Sequence, residues 1–209
     1  MFERLAEIFL LLFVVVDPLG LAIIFAGLTH RETRAYRRRM AIQGTMLAAL
    51  VLVVFALIGD PLLRLLNIGL PAFRIAGGVL LFLLAVDMVF ARHSGARAPT
   101  QREQAEAEQR KDISVFPLAI PLIAGPGAIT TVLLKSGPVT DAAPGLWAVL
   151  AMLALVLGMT LMALLEAHRI LKLLGLTGAN VVGRVFGIVL SALAVQFILD
   201  GLTAGLARQ

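Results

Sequence analysis

Val16-Asp17-Pro18-Leu19-Gly20 and Ala124-Gly125-Pro126-Gly127 interrupt two otherwise apolar runs, and Pro126 follows Pro18 by 108 positions, about half of the 209-residue chain. A proline inside a helix removes a backbone donor and clashes with the preceding turn, and glycine loosens the same spot. Inside a lipid bilayer such a break bares polar backbone, which is stable only where protein or a water-filled cavity covers it. Paired breaks at matching positions of two half-chains are the sequence pattern of a transporter-type binding site.

The composition places this pair of breaks in a membrane protein. Hydrophobic residues make up 60% of the chain and charged residues 15%, well below the quarter or so charged in a soluble domain. There is no cysteine, so disulfides, thiolate nucleophiles and sulfur-ligated metals are excluded. The net charge of +5 does not point to nucleic acid. The basic residues lie in loops between apolar runs, and one Tyr and one Trp cannot build a stacking platform for bases.

Six segments match the ~30 Å hydrocarbon core: 5–28, 40–58, 71–91, 113–134, 144–165 and 181–202. The first apolar run continues past any cleavage point, so it reads as a span rather than a removable signal. Loops one, three and five carry twelve Lys/Arg, headed by Arg31, Arg34, Arg37, Arg38 and Arg39 in loop one; the opposite side carries four. The positive-inside rule puts the rich side in the cytoplasm and both termini outside. The arginines of loop one read first as a topology determinant, and they can also meet anionic headgroups.

The halves match beyond the prolines. Arg64-Leu65-Leu66 corresponds to Lys172-Leu173-Leu174 at an offset of 108, and Gly78 to Gly187 and Leu84-Ala85-Val86-Asp87 to Leu193-Ala194-Val195-Gln196 at 109. Three spans per half is an odd number, so the second copy enters from the other side and the repeat is inverted. The expected fold is all-α and membrane-integral, with six transmembrane helices as two inverted three-helix repeats, the first and fourth helices broken at mid-membrane. Residues 1–91 form the first repeat, 92–112 a hydrophilic cytoplasmic linker expected to be solvated and partly disordered, and 113–209 the second repeat.

Several marks in this order resemble the MarC/SnatA family, also called the neutral amino acid transporter family. They are Asp17-Pro18-Leu19-Gly20, Phe73-Arg74-Ile75-Ala76-Gly77-Gly78, Pro117 through Ile129 with Gly125-Pro126-Gly127, Arg184, and Ala194-Val195-Gln196. The resemblance runs nearly end to end. It implies a multi-pass protein of the bacterial inner membrane with outward termini, carrying small neutral amino acids such as glycine, alanine, serine or threonine.

An amino acid zwitterion suits broken helices. Its carboxylate is drawn to the backbone N–H groups of a helix N-terminus, and its ammonium to carbonyls or a carboxylate. Asp17 is placed to cap the second half of the first span, with Pro18 at the first helical position. Leu19 follows, and Gly20 lets another group approach the backbone. In the fourth span Gly125, Pro126 and Gly127 open the second half, followed by Thr130 and Thr131. The expected substrate site is therefore Asp17, Pro18, Leu19, Gly20, Gly125, Pro126, Gly127 and Thr130. Asp17 can act as cap, ammonium ligand or proton-coupling group. Arg74 and Arg184 lie near opposite ends of their spans, as gates or as snorkelling interfacial residues. Asp87 and Gln196 are repeat-equivalent and suited to hydrogen bonds across helices. Gly183 and Gly187 form a GxxxG match that allows close packing within or between chains.

No GxSxG elbow, HExxH motif or Walker A signature occurs, and the three histidines lie at loop edges, so an enzyme or an ATP-driven pump is not expected. The expectation is a secondary transporter working by alternating access, with protons the first candidate for coupling and no cofactor or metal. Its partners would be a small neutral amino acid and membrane lipids, with self-association left open. A channel, an exporter of another small solute, or a non-transporting membrane regulator are the alternatives.

Overall fold

The computed structural model describes residues 2–90, 112–136 and 145–207. Its helical segments are α1 (Phe2–Val16), α2 (Pro18–Leu28), α3 (Arg34–Leu65), α4 (Leu70–Val89), α5 (Ser114–Ile123), α6 (Pro126–Lys135), α7 (Leu146–Leu165) and α8 (Ala167–Leu206). Among the described residues there is no strand. Five stretches are long and apolar enough to cross a bilayer: Glu3–Leu28, which joins α1 and α2, then α3, α4, α7 and Asn180–Leu206 of α8. The pair α5 and α6, bent by 56°, makes the sixth. The linker proposed at 92–112 lies outside the described residues except for Asp112, as do Ala91 and Pro144 at two span ends.

Each element follows from local chemistry. Helix α3 overruns the expected 40–58 at both ends. Thr33 caps it through a hydrogen bond from the Tyr36 N–H to Thr33 Oγ1, and nothing breaks the helix until Asn67 takes a positive φ of 58° after it. Its buried face is mostly small residues, Ala41, Gly44, Thr45, Ala48, Ala56 and Gly59, with Met40, Leu52 and Leu63 among them. The opposite face carries Met46, Leu50, Val54 and Leu57, all exposed and available to lipid. This sorting is the membrane form of helix packing, where small residues let backbones approach and large apolar ones face hydrocarbon. A Cβ on Gly44 would lie 2.5 Å from Leu118 Cδ2, and one on Gly59 would lie 2.5 Å from Leu133 Cγ. Fifteen residues separate the two contacts on both spans, so α3 and the fourth span run parallel, as two spans entering from the same side must.

The inverted repeat is visible in how α4 meets α8. A Cβ on Gly78 would lie 2.8 Å from the Ala194 carbonyl and 2.7 Å from Ile198 Cγ1. One on Gly187 would lie 2.9 Å from Met88 Cβ and 2.9 Å from Val89 Cγ2. At an offset of 109, Gly78 maps to Gly187 and Val89 to Ile198, so the two contacts exchange under the repeat. The other packings exchange too: α2 rests on α7 and α8 as α6 rests on α3 and α4, and α1 meets α7 as α5 meets α3. Of the GxxxG pair, Gly187 makes a close contact within this chain, while a Cβ on Gly183 would meet nothing within 4 Å.

Loop one, the described end of loop three at Asp112 and loop five share one face. Tyr36 hydrogen-bonds the backbone at Ile113, Arg39 bears on Asp112, and Arg37 bears on His168. On the other face Lys135 Nζ pairs with Glu7 Oε1 at 2.6 Å, tying the end of α6 to α1.

Candidate functional site

The two breaks differ in kind. At the first, Asp17 adopts a left-handed backbone (φ 55°, ψ 67°) and its Oδ1 accepts the Gly20 N–H at 3.0 Å. Aspartate tolerates this region better than most side chains. The ladder is complete on either side of the break: the Asp17 N–H reaches Phe13 O at 2.9 Å, and the Leu21 N–H reaches Asp17 O at 3.0 Å. Between these bonds Pro18 has no N–H to give and the Gly20 N–H turns to the Asp17 carboxylate, so the first helix is broken here as expected, while α1 and α2 still form one membrane-crossing stretch. Gly20 does admit another group, and that group is Asp17 itself, since a Cβ on Gly20 would collide with the Asp17 carboxylate. Asp17 and Pro18 are buried, and Leu19 and Gly20 half-buried.

The second break is larger than the sequence suggested. The expectation of a helix from Ile113 to a break at Gly125 needs correction, because α5 is not an ordinary α-helix. Phe116 (φ −133°, ψ 128°) and Ile120 (φ −131°, ψ 126°) are extended, and both precede a proline in a cis peptide bond, Pro117 and Pro121. The ring of a proline crowds the residue before it out of the α region. The remaining bonds are wide, Leu118 N–H to Ile113 O and Ala124 N–H to Ala119 O, each five residues back. The break thus begins at Phe116 and ends where α6 starts.

The N-terminus of α6 has no side-chain cap. At an offset of 108 the counterpart of Asp17 is Gly125. A Cβ there would lie 2.6 Å from the Pro121 carbonyl oxygen, so Pro121 leaves no room for a capping side chain. The start of α6 instead faces a cavity of about 50 Å³ lined by Gly125, Pro126, Gly127, Val15 and, from α4, Leu80 and Leu84. That is room for a few waters. A Cβ on Gly127 would collide with Leu81 Cδ2 and lie 3.2 Å from Val15 Cγ1. Thr130, one turn on, is buried, and Gly77 of α4 gives it space, since a Cβ on Gly77 would collide with Thr130 Cγ2. The Thr131 hydroxyl is buried without a hydrogen-bond partner among the described residues.

Of the expected site residues, the structure gathers Gly125, Pro126 and Gly127 at this cavity, with Thr130 close behind. Asp17 turns to its own helix; only its near neighbour Val15 reaches the cavity. Val15, Gly77, Leu80, Leu81 and Leu84 are lining or spacing residues that sequence reasoning missed, and apolar residues in an apolar span carry no signal for such a role. The polar residues of α4 and α8 lie elsewhere. Arg74 is half-buried near Gly201 at one end of the pair, and Arg184 is exposed toward the other, one turn before Gly187. Asp87 is half-buried. The expectation that Gln196 bonds across helices is corrected: its Nε2 donates to Asp200 Oδ1 at 2.7 Å within α8, because the two lie one turn apart on one face.

Fold and cavity together define a helical multi-pass membrane protein of six spans in two inverted halves, with an uncapped half-helix start, half-buried at Gly125 and exposed at Pro126, on a cavity walled by both. The family model for MarC family integral membrane proteins matches residues 2–206. The chain belongs to this family. It is 36% identical over 196 residues to a UPF0056 membrane protein of Methanocaldococcus jannaschii, covering 93% of this chain and 94% of that protein. It is 34% identical to the UPF0056 membrane protein YvbG of Bacillus subtilis, covering 97% and 95%. To YhcE of Escherichia coli, also a UPF0056 membrane protein, it is 32% identical, covering 94% and 90%. No solved structure matches the chain.

Proposed function

We propose that this protein is a secondary transporter of small neutral amino acids, and that the cargo carboxylate binds at the start of α6. The observation that carries this reading is the contrast between the breaks. The α2 terminus holds a carboxylate of its own, Asp17, whereas the α6 terminus has none, admits none from its own chain, and opens on a cavity. Free N–H groups and the positive end of the helix dipole attract a carboxylate there. The Pro121 carbonyl, beside Gly125 at the cavity wall, is suited to an ammonium. The walls contributed by α1, α4, α5 and α6 come from both repeats, so a rocking of one half against the other opens the site to alternate sides. Arg74 and Arg184, at opposite ends of the α4–α8 pair, serve as the two gates in this reading. Asp17 and a proton gradient are the coupling elements of this reading.

Counterflow of radiolabelled glycine, alanine and threonine into proteoliposomes tests it. Gly127→Ala puts a methyl group against Leu81 and should lower exchange about tenfold or more. The double variant Gly127→Ala/Leu81→Ala returns that space and should recover much of the loss. Wild-type exchange in Gly127→Ala would move the site elsewhere. No exchange of any amino acid by folded wild-type protein would overturn the cargo.

A further inference from the structure

A second, larger cavity of about 660 Å³ lies at the face shared by loops one and five, between the first turn of α3 and the turn joining α7 to α8. One wall is cationic: Arg34, Arg37 and Arg38. The opposite wall is mixed, with Leu164 and Leu165 at the end of α7 and His168 at the start of α8. We propose that this cleft binds the phosphate of an anionic phospholipid headgroup.

Several independent observations meet here. Arg34 and Arg37 in the first turn of α3, with Arg38 directly after it, oppose its dipole, since cations are unfavourable at the positive end. No acidic residue stands in that turn to offset them. Among the described residues, Arg34, Arg37 and Arg38 make no ion pair; the nearest carboxylate on the cavity wall, Glu166, is engaged by Arg169 at 2.7 Å. Arg37 is half-buried and bears directly on His168. The Nε2 of His168 is buried with no hydrogen-bond partner among the described residues. Burial first, then Arg37 and His30, disfavour the protonated ring. A phosphate placed between Arg37 and His168 answers all of these at once. It pairs with guanidinium groups in the geometry they favour, accepts from the orphaned His168 Nε2 in the tautomer that protonates it, and offsets the cations at the positive end of the α3 dipole.

The source of the phosphate follows from the other wall. Leu164 and Leu165 end a membrane span, and Leu165 is exposed. The cationic wall and the lipid-facing surface therefore meet in one cleft, which suits a headgroup whose acyl chains run down α7. Basic pockets between spans on one membrane face are the usual form of such sites. The inference stands apart from the transport reading, since it concerns a different cavity.

Native mass spectrometry of the full chain in detergent tests it, with phosphatidylglycerol, phosphatidylcholine, inorganic phosphate and glycerol 3-phosphate as probes. Phosphatidylglycerol should remain bound as a single adduct and raise the melting temperature, and neither phosphatidylcholine nor the soluble phosphates should do so at equal concentration. Arg37→Gln/Arg38→Gln should weaken the adduct roughly tenfold. Arg64→Gln, an exposed arginine paired with Asp60 elsewhere on α3, should leave it unchanged. The single exposed change Arg34→Gln, weakening it by a smaller factor, guards against misfolding of the double variant. Equal retention of phosphatidylcholine, or an adduct unaltered in the folded arginine variants, would overturn the proposal. Equally tight binding of glycerol 3-phosphate would make it a site for soluble anions and overturn the lipid assignment.

Discussion

Asp17 shows how one side chain can settle what a break does. Its carboxylate caps Gly20 from a left-handed backbone and so occupies the place a ligand would take. Capping needs an oxygen acceptor, and asparagine supplies one nearly as well. Asp17→Asn should therefore hold stability within about 0.5 kcal/mol, measured as the melting temperature in detergent. If the proton couples at Asp17, the same variant should lose the dependence of uptake on a pH gradient while keeping counterflow. A pH response equal to wild type would leave the residue a cap and nothing more. The cap itself was legible in Asp17-Pro18-Leu19-Gly20, because cap, proline and glycine each have a positional chemistry. Its left-handed geometry was not, nor was the identity of the group that Gly20 admits.

At the scale of elements, legibility tracked how local the cause was. The six spans follow from apolar length alone. Helix α3 outgrew its apolar stretch because Thr33 could cap it and nothing stopped it, a matter of ends rather than hydropathy. Span four diverged most, although Pro117 and Pro121 were in plain view. An apolar run with two prolines four residues apart reads as a kinked helix, yet each proline also pushes the residue before it into extended backbone, and together they unwind the segment. The entry to α5 is fixed outside the span by Asp112, whose Oδ1 accepts both the Ser114 N–H at 2.9 Å and the Ser114 hydroxyl at 2.6 Å. These bonds hold the Asp112 carboxyl below its ordinary 3.8. A carboxyl lowered on folding contributes stability above that ordinary value, and the contribution fades as pH falls through the lower, folded one. Melting measured from pH 6 down to 3 should therefore drop below about pH 4 in wild type. The drop should be smaller in Ser114→Ala, which removes the larger cause. Identical acid profiles would show that this turn does not fasten the segment.

For the whole molecule, the inverted repeat was readable in part because a repeat leaves equal offsets, and Gly78 and Gly187 turn out to hold exchanged places between α4 and α8. The cavity was not readable in full. It brings Val15 from α1, Leu80 and Leu84 from α4 and Gly127 from α6 together across chain separations that no local pattern encodes. The repeat also explains where function can reside, since symmetry gives two half-helix starts and a glycine in place of an aspartate leaves one of them open. The central claim is that this open start recognises a carboxylate. The most direct test is glycine counterflow by the wild-type protein in proteoliposomes, competed with unlabelled alanine or with glycinamide, which keeps the ammonium and the size but lacks the carboxylate. The account predicts saturable glycine exchange that alanine suppresses and glycinamide does not. Suppression by glycinamide as strong as by alanine would contradict it.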